Sequence, residues 1–132
     1  MIDPKSIVLS WRAEIAAELA EAEKALPPLQ AAHEAAKAAA DEATAAHVAL
    51  NQFLGKVTSE TDIIGNPRFK VLEGALGWRA AEVGWLADRA KQQRARALGD
   101  LEVARAKLAS LRRALAQIDL VAPPADEVGE AA

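Results

Sequence analysis

The chain has no cysteine and no tyrosine, and aromatic residues fill only 4% of its 132 positions. Without cysteine there is no disulfide framework and no thiolate metal site, so a small fold held by such staples is excluded. No run approaches the roughly 18 apolar residues of a membrane span, so a membrane partner is not expected. A phosphate-cradling glycine loop, a nucleophile elbow and a dinucleotide fingerprint are all missing, which removes the enzyme classes that depend on them. The first residues, Met1-Ile2-Asp3-Pro4-Lys5-Ser6, carry an acid and no secretory apolar stretch. The expected location is therefore the cytoplasm or a virion assembled there.

What is there is alanine. Hydrophobic residues make up 52% of the chain, and alanine alone accounts for about a quarter of it. Alanine is the best helix former and buries little area per residue, so this composition favours long helices over a thick core. Asp3-Pro4 reads as a helix start, the acid capping first-turn amides and the proline occupying a position whose amide would be unpaired anyway. From there Val8, Ile15, Ala22, Leu29, Ala36, Ala43 and Leu50 recur every seven residues. A neighbouring column is read as Trp11, Leu19, Leu26, Ala32, Ala39, Ala46 and Phe53. Pro27-Pro28 interrupts this arm and predicts a kink or short break, because interior proline costs a helix about 3 kcal/mol. Gly55 is the expected stop.

The boundaries that follow are a first arm over 4–54, a turn over 55–66, a second arm over 67–119 and an acidic, proline-containing tail over 121–132. Residues 1–120 form one domain in this reading. In the second arm Phe69, Leu72, Leu76, Val83 and Leu86 form an early apolar column, and Leu101 to Ile118 a late one. Val83 and Leu101 are eighteen residues apart, which reads as a stutter in the seven-residue repeat. The fold class is all-α, an elongated antiparallel helical hairpin with coiled-coil packing and a first arm kinked at Pro27-Pro28. With the turn centred between the arms, residue i should lie opposite residue 121−i. Charge agrees with an arm-on-arm pairing: residues 1–54 carry four basic and eight acidic groups, residues 67–119 eleven basic and six acidic.

The stretch around which this hairpin is organised is Leu76 to Arg89, two seven-residue units that each place Gly before Trp. Gly77 and Gly84 stack on one side of the helix as a groove, and Trp78 and Trp85 stack beside them as a ridge. The tryptophans fall about 200° round the helix from Leu76 and Val83, which puts them far from the core column. Ile63 and Ile64 add two apolar residues in the turn, where polar ones are usual. These six residues are the candidate interaction site.

Side chains able to do chemistry are too scattered to converge. His33 and His47 are fourteen residues apart on one helical face, roughly 21 Å, so they cannot share a metal within one chain and read as polar breaks in the seam. Glu14, Glu18 and Glu21 read as a solvated acidic stripe. Arg89, Lys91, Arg94 and Arg96 form a basic cluster, yet the sequence pI is near 5.4 and no aromatics interleave it, so nucleic acid is not the expected partner. No cofactor is expected. The function expected is that of a non-enzymatic structural or assembly subunit, with more copies of itself or other proteins as partners. Its small size and alanine richness suggest a bacteriophage-like particle; the alternative is a cytosolic adaptor that binds a partner helix.

Overall fold

The computed structural model describes residues 3–59 and 67–121, with side chains over 3–56 and 74–121. Helix α1 spans Pro4–Ser59 and helix α2 spans Pro67–Val121. Among the described residues only Asp3 lies outside a helix, and the two helices pack against each other as an all-α hairpin. The start of α1 is built as its sequence predicts. Lys5 N donates to Asp3 Oδ1 at 3.1 Å and Ile7 N donates to the Asp3 carbonyl at 3.3 Å, so the cap satisfies first-turn donors.

Both helices outrun their predicted ends. Helix α1 continues through Gly55 to Ser59, five residues past Leu54, with Lys56 in the last turn where a cation complements the helix dipole. Glycine costs a helix about 1 kcal/mol, too little to stop one whose other residues favour it. Helix α2 runs two residues past 119, to Val121. The rest of the predicted turn, including Ile63 and Ile64, and the tail beyond Val121 lie outside the described residues. Of the kink or short break expected at Pro27-Pro28, the break does not occur, since α1 stays helical through both prolines. Both are exposed while Leu26 and Leu29 on either side turn inward. The amide donors that proline removes are therefore lost on the solvent side, where water can satisfy the freed carbonyls.

Contacts divide the chain into two compact units, Met1–Ala31 with Gly99–Ala132, and Ala32–Leu98. In the first, Val8, Ile15, Leu19, Leu26 and Leu29 of α1 are turned inward, and Leu101 and Leu108 of α2 are buried. Arg12 Nε donates to Asp119 Oδ1 at 2.6 Å, and Arg112 lies 3.6 Å from Glu23, which fixes the two segments as antiparallel. In the second unit the buried residues are Ala40, Ala80 and Ala87. Arg94 lies 3.7 Å from Asp41 there, and His47 faces Gly84, again antiparallel. The buried positions are thus leucine in one unit and alanine in the other, whose small side chains let backbones approach closely.

The seam differs from its predicted course in three ways. The first α1 column, Val8 to Leu50, is half-buried as expected, but the second is Arg12, Leu19, Leu26, His33, Ala40, His47 and Leu54. Trp11 and Phe53, assigned to that column from sequence, are 56% and 53% exposed, and Leu86, assigned to the early column of α2, is exposed as well. Second, there is no stutter. Leu101 belongs to a column that runs back through Arg94, Ala87 and Ala80, while Val83 belongs to its neighbour with Ala90, Ala97 and Ala104, and every step within each is seven. Eighteen residues is two repeats plus the four-residue step from one column to the other. Third, facing residues do not total 121: Arg12 with Asp119 totals 131, and Asp41 with Arg94 totals 135. The longer α1 supplies five of the ten to fourteen residues of this shift, since its last residue moves from 54 to 59.

Because Pro27 and Pro28 are exposed and support no contact across the seam, replacing both with alanine should stabilise the protein by about 2 kcal/mol or more, helix propensity being the main term changed. Thermal melting followed by circular dichroism measures this. An unchanged or lower midpoint would show that the prolines hold a geometry the packing needs.

Candidate interaction surface

On α2 the inward positions are Leu76, Ala80, Val83, Ala87, Ala90 and Arg94. Trp78 and Trp85 fall at the position of the repeat that points directly away from this seam, and they are 80% and 61% exposed. The separation from the core column expected from the sequence is therefore present. The Arg89 guanidinium sits over the Trp85 ring at 5.6 Å from its centroid, a cation–π contact between residues four apart. Arg79 Nη1 donates to Glu82 Oε2 at 2.9 Å, which holds both side chains along the same face. Ala75, Ala81 and the two indoles line a shallow apolar trough between these charges. A second shallow trough continues past Trp78 over Gly74 and Gly77.

The two glycines of the predicted groove part company. At Gly84 a methyl group in place of the hydrogen would lie 2.9 Å from His47 Nε2, so the close approach comes from the chain's own first helix. That imidazole is held in place by Asn51, whose Nδ2 donates to His47 Nε2 at 3.0 Å. At Gly77 no atom lies within 4 Å of such a methyl, and the residue is exposed beside Trp78. Gly77, Trp78 and Trp85 therefore belong to the outward surface, and Gly84 to the inner seam.

The remaining candidates fall apart by position. His33 and His47 are half-buried in the seam, as polar breaks in it. Glu14, Glu18 and Glu21 are exposed. Among the described residues no cluster of three or more His, Asp or Glu could hold a metal ion. No described helix is long and apolar enough to cross a membrane. The basic cluster does not make one face: Arg94 turns into the seam beside Asp41, Arg89 covers Trp85, and Lys91 and Arg96 are exposed.

Sequence reasoning missed one surface and one contact, both in the unit that joins the chain's ends. Trp11, placed in the core from sequence, lines an apolar depression with Val8, Ala114, Gln117, Ile118 and Val121. Beside it Arg12, passed over as polar, makes the 2.6 Å bridge to Asp119. The signal was the seven-residue spacing of Arg12 from Leu19 and Leu26, visible once charged residues are admitted to a column. Comparison with protein-family models, with curated proteins and with solved structures gave no match.

The different surroundings of the two glycines give a paired prediction. Gly77→Ala should stabilise the protein by about 1 kcal/mol, because it improves helix propensity in open space. At Gly84 the same change must displace the His47 ring and break its Asn51 bond, so it should be neutral or destabilising. Urea unfolding of both variants measures the difference, and equal gains would show that His47 does not pack against Gly84.

Proposed function

We propose that this chain is a non-enzymatic structural or assembly subunit that packs through its helical surfaces into a larger protein complex. The observation that carries this reading is the outward aromatic face of α2. Two tryptophans stand exposed on a helix, opposite the seam, while among the described residues the buried core amounts to Ala40, Ala80, Ala87, Leu101 and Leu108. Aromatic side chains presented on a fixed backbone lose little entropy on burial and are frequent interface anchors. Large exposed apolar patches of this kind mark interaction sites. The charges around the indoles support docking over catalysis, since Arg79 is engaged by Glu82 and Arg89 by Trp85. The setting we favour is a bacteriophage-like particle, on the grounds of small size, alanine richness and the lack of catalytic groups.

The test is Trp78→Ala with Trp85→Ala in the full chain. Helical content should be unchanged, because neither ring contributes to the seam. Association with itself or with its partner should weaken by about 2 kcal/mol or more, roughly thirtyfold. Size-exclusion chromatography with light scattering reads the mass, and circular dichroism reads the fold. A double variant that unfolds, or one that assembles as the wild type does, would contradict this reading.

A further inference from the structure

The unit formed by residues 32–98 has a second unpartnered apolar face, and the two fit each other. On the outer side of α1, Val48 and Phe53 are 47% and 53% exposed on its two flanks, about 140° apart at 100° per residue, with exposed Ala45, Ala49 and Gln52 between them. On the outer side of α2 stand Trp78, Trp85 and, at 45% exposure, Leu86. Both faces point away from the shared seam, so they lie on opposite sides of the same helix pair. A single copy can cover neither with the other.

We infer that the Trp78/Trp85 face of one copy docks on the Val48/Phe53 face of α1 in a second copy, head to tail. The inference rests on the assembly reading above and names its partner. Register within the pair supports it. Gly84 faces His47. Counting outward from that level, Trp85 is one residue from Gly84 as Ala46 is from His47, and Trp78 is six residues away as Phe53 is. Two copies placed side by side in the same orientation, without sliding, therefore bring Trp78 level with Phe53 and Trp85 level with Ala45 and Ala46. One indole meets small side chains and the other an aromatic ring, with which it can stack.

Charge marks the same alignment. Arg89 lies five residues beyond Gly84, and Glu42 lies five before His47. The unshifted arrangement sets the exposed Arg89 against the exposed Glu42, one of three acids in residues 32–56. More broadly, residues 74–98 hold five basic and two acidic groups, and residues 32–56 hold two basic and three acidic ones. Electrostatic complementarity of this kind fixes register and orientation more than it adds affinity. Because the docking face and the receiving face are different surfaces, each added copy uses one of its faces and leaves the other free for the next. The assembly extends as a row, closing only where rotation between neighbours brings the ends together.

A mixing experiment with two full-length variants tests this. One variant carries Trp78→Ala with Trp85→Ala. The other carries Ala49→Glu with Phe53→Glu, both exposed positions on a helix that tolerates glutamate. Light scattering should show the wild type forming species larger than dimers, each variant alone as a monomer, and an equimolar mixture as one-to-one dimers and nothing larger. Circular dichroism confirms that both variants keep their helices. Charge reversal adds a second reading: Glu42→Arg should reduce the wild-type mass, and adding Arg89→Glu to it should restore the mass. If the Ala49/Phe53 variant associates as the wild type does while the tryptophan variant stays monomeric, this docking is wrong and the assembly reading stands. If neither variant alters association, both are wrong. A wild type that stays monomeric at high concentration overturns the head-to-tail contact and leaves the assembly reading to a different protein partner.

Discussion

Two helices that pack along a single seam can each bury only one stripe, and this constraint governs everything else in the molecule. Each helix turns inward at alternating steps of three and four residues, and among the described residues that narrow set of positions carries the core. Where the stripe holds leucine and isoleucine, as around Leu101 and Leu108, burial removes substantial apolar area from water. Where it holds alanine, as at Ala40, Ala80 and Ala87, little area is gained and the contact relies on close approach. His47 against Gly84 is the consequence, a ring accommodated because the facing residue has no side chain. Any large apolar residue off the stripe has no place inside the pair, which is why Trp78, Trp85 and Phe53 face outward.

The same constraint explains what could be read from the sequence. The hairpin, its antiparallel sense, the Asp3-Pro4 start and the α1 column from Val8 to Leu50 follow from periodicity and capping chemistry. The outward position of the tryptophans follows from their offset of two residues from Leu76 and Val83. What sequence reasoning lost was much of the second column of each helix, where Arg12 and Arg94 take positions reserved in that reasoning for apolar residues; His33 and His47 were read as polar breaks in the seam, but outside its columns. A tertiary contact can seat a polar side chain in a seam when a partner or a facing glycine makes room, and hydrophobic periodicity carries no trace of that. The register error had a plainer origin. Helix ends are the least certain feature of any sequence reading, and the five residues added to α1 account for five of the ten to fourteen by which the facing pairs moved.

The charged residues divide by depth. Surface pairs such as Arg79 with Glu82 contribute about 0 to 1 kcal/mol and act mainly to align side chains. Arg12 with Asp119 is closer and less exposed, and it sits at seam level. Its contribution lies in specifying which residues face each other, because a slide of the pair by one turn would leave a guanidinium against leucine. Arg94 with Asp41 plays the looser version of this part in the alanine-packed unit.

The Arg12–Asp119 bridge also joins residues 107 positions apart. In a hairpin the loop-closing cost of a contact is lowest next to the turn, and each layer formed shortens the effective loop for the next. Pairing that starts near the turn would bring these two residues together last, after the rate-limiting step has passed. A contact absent from the folding transition state slows unfolding without speeding folding. The bridge then acts as a latch on the open end of the hairpin, setting how long the closed pair lasts and leaving the rate at which it forms untouched.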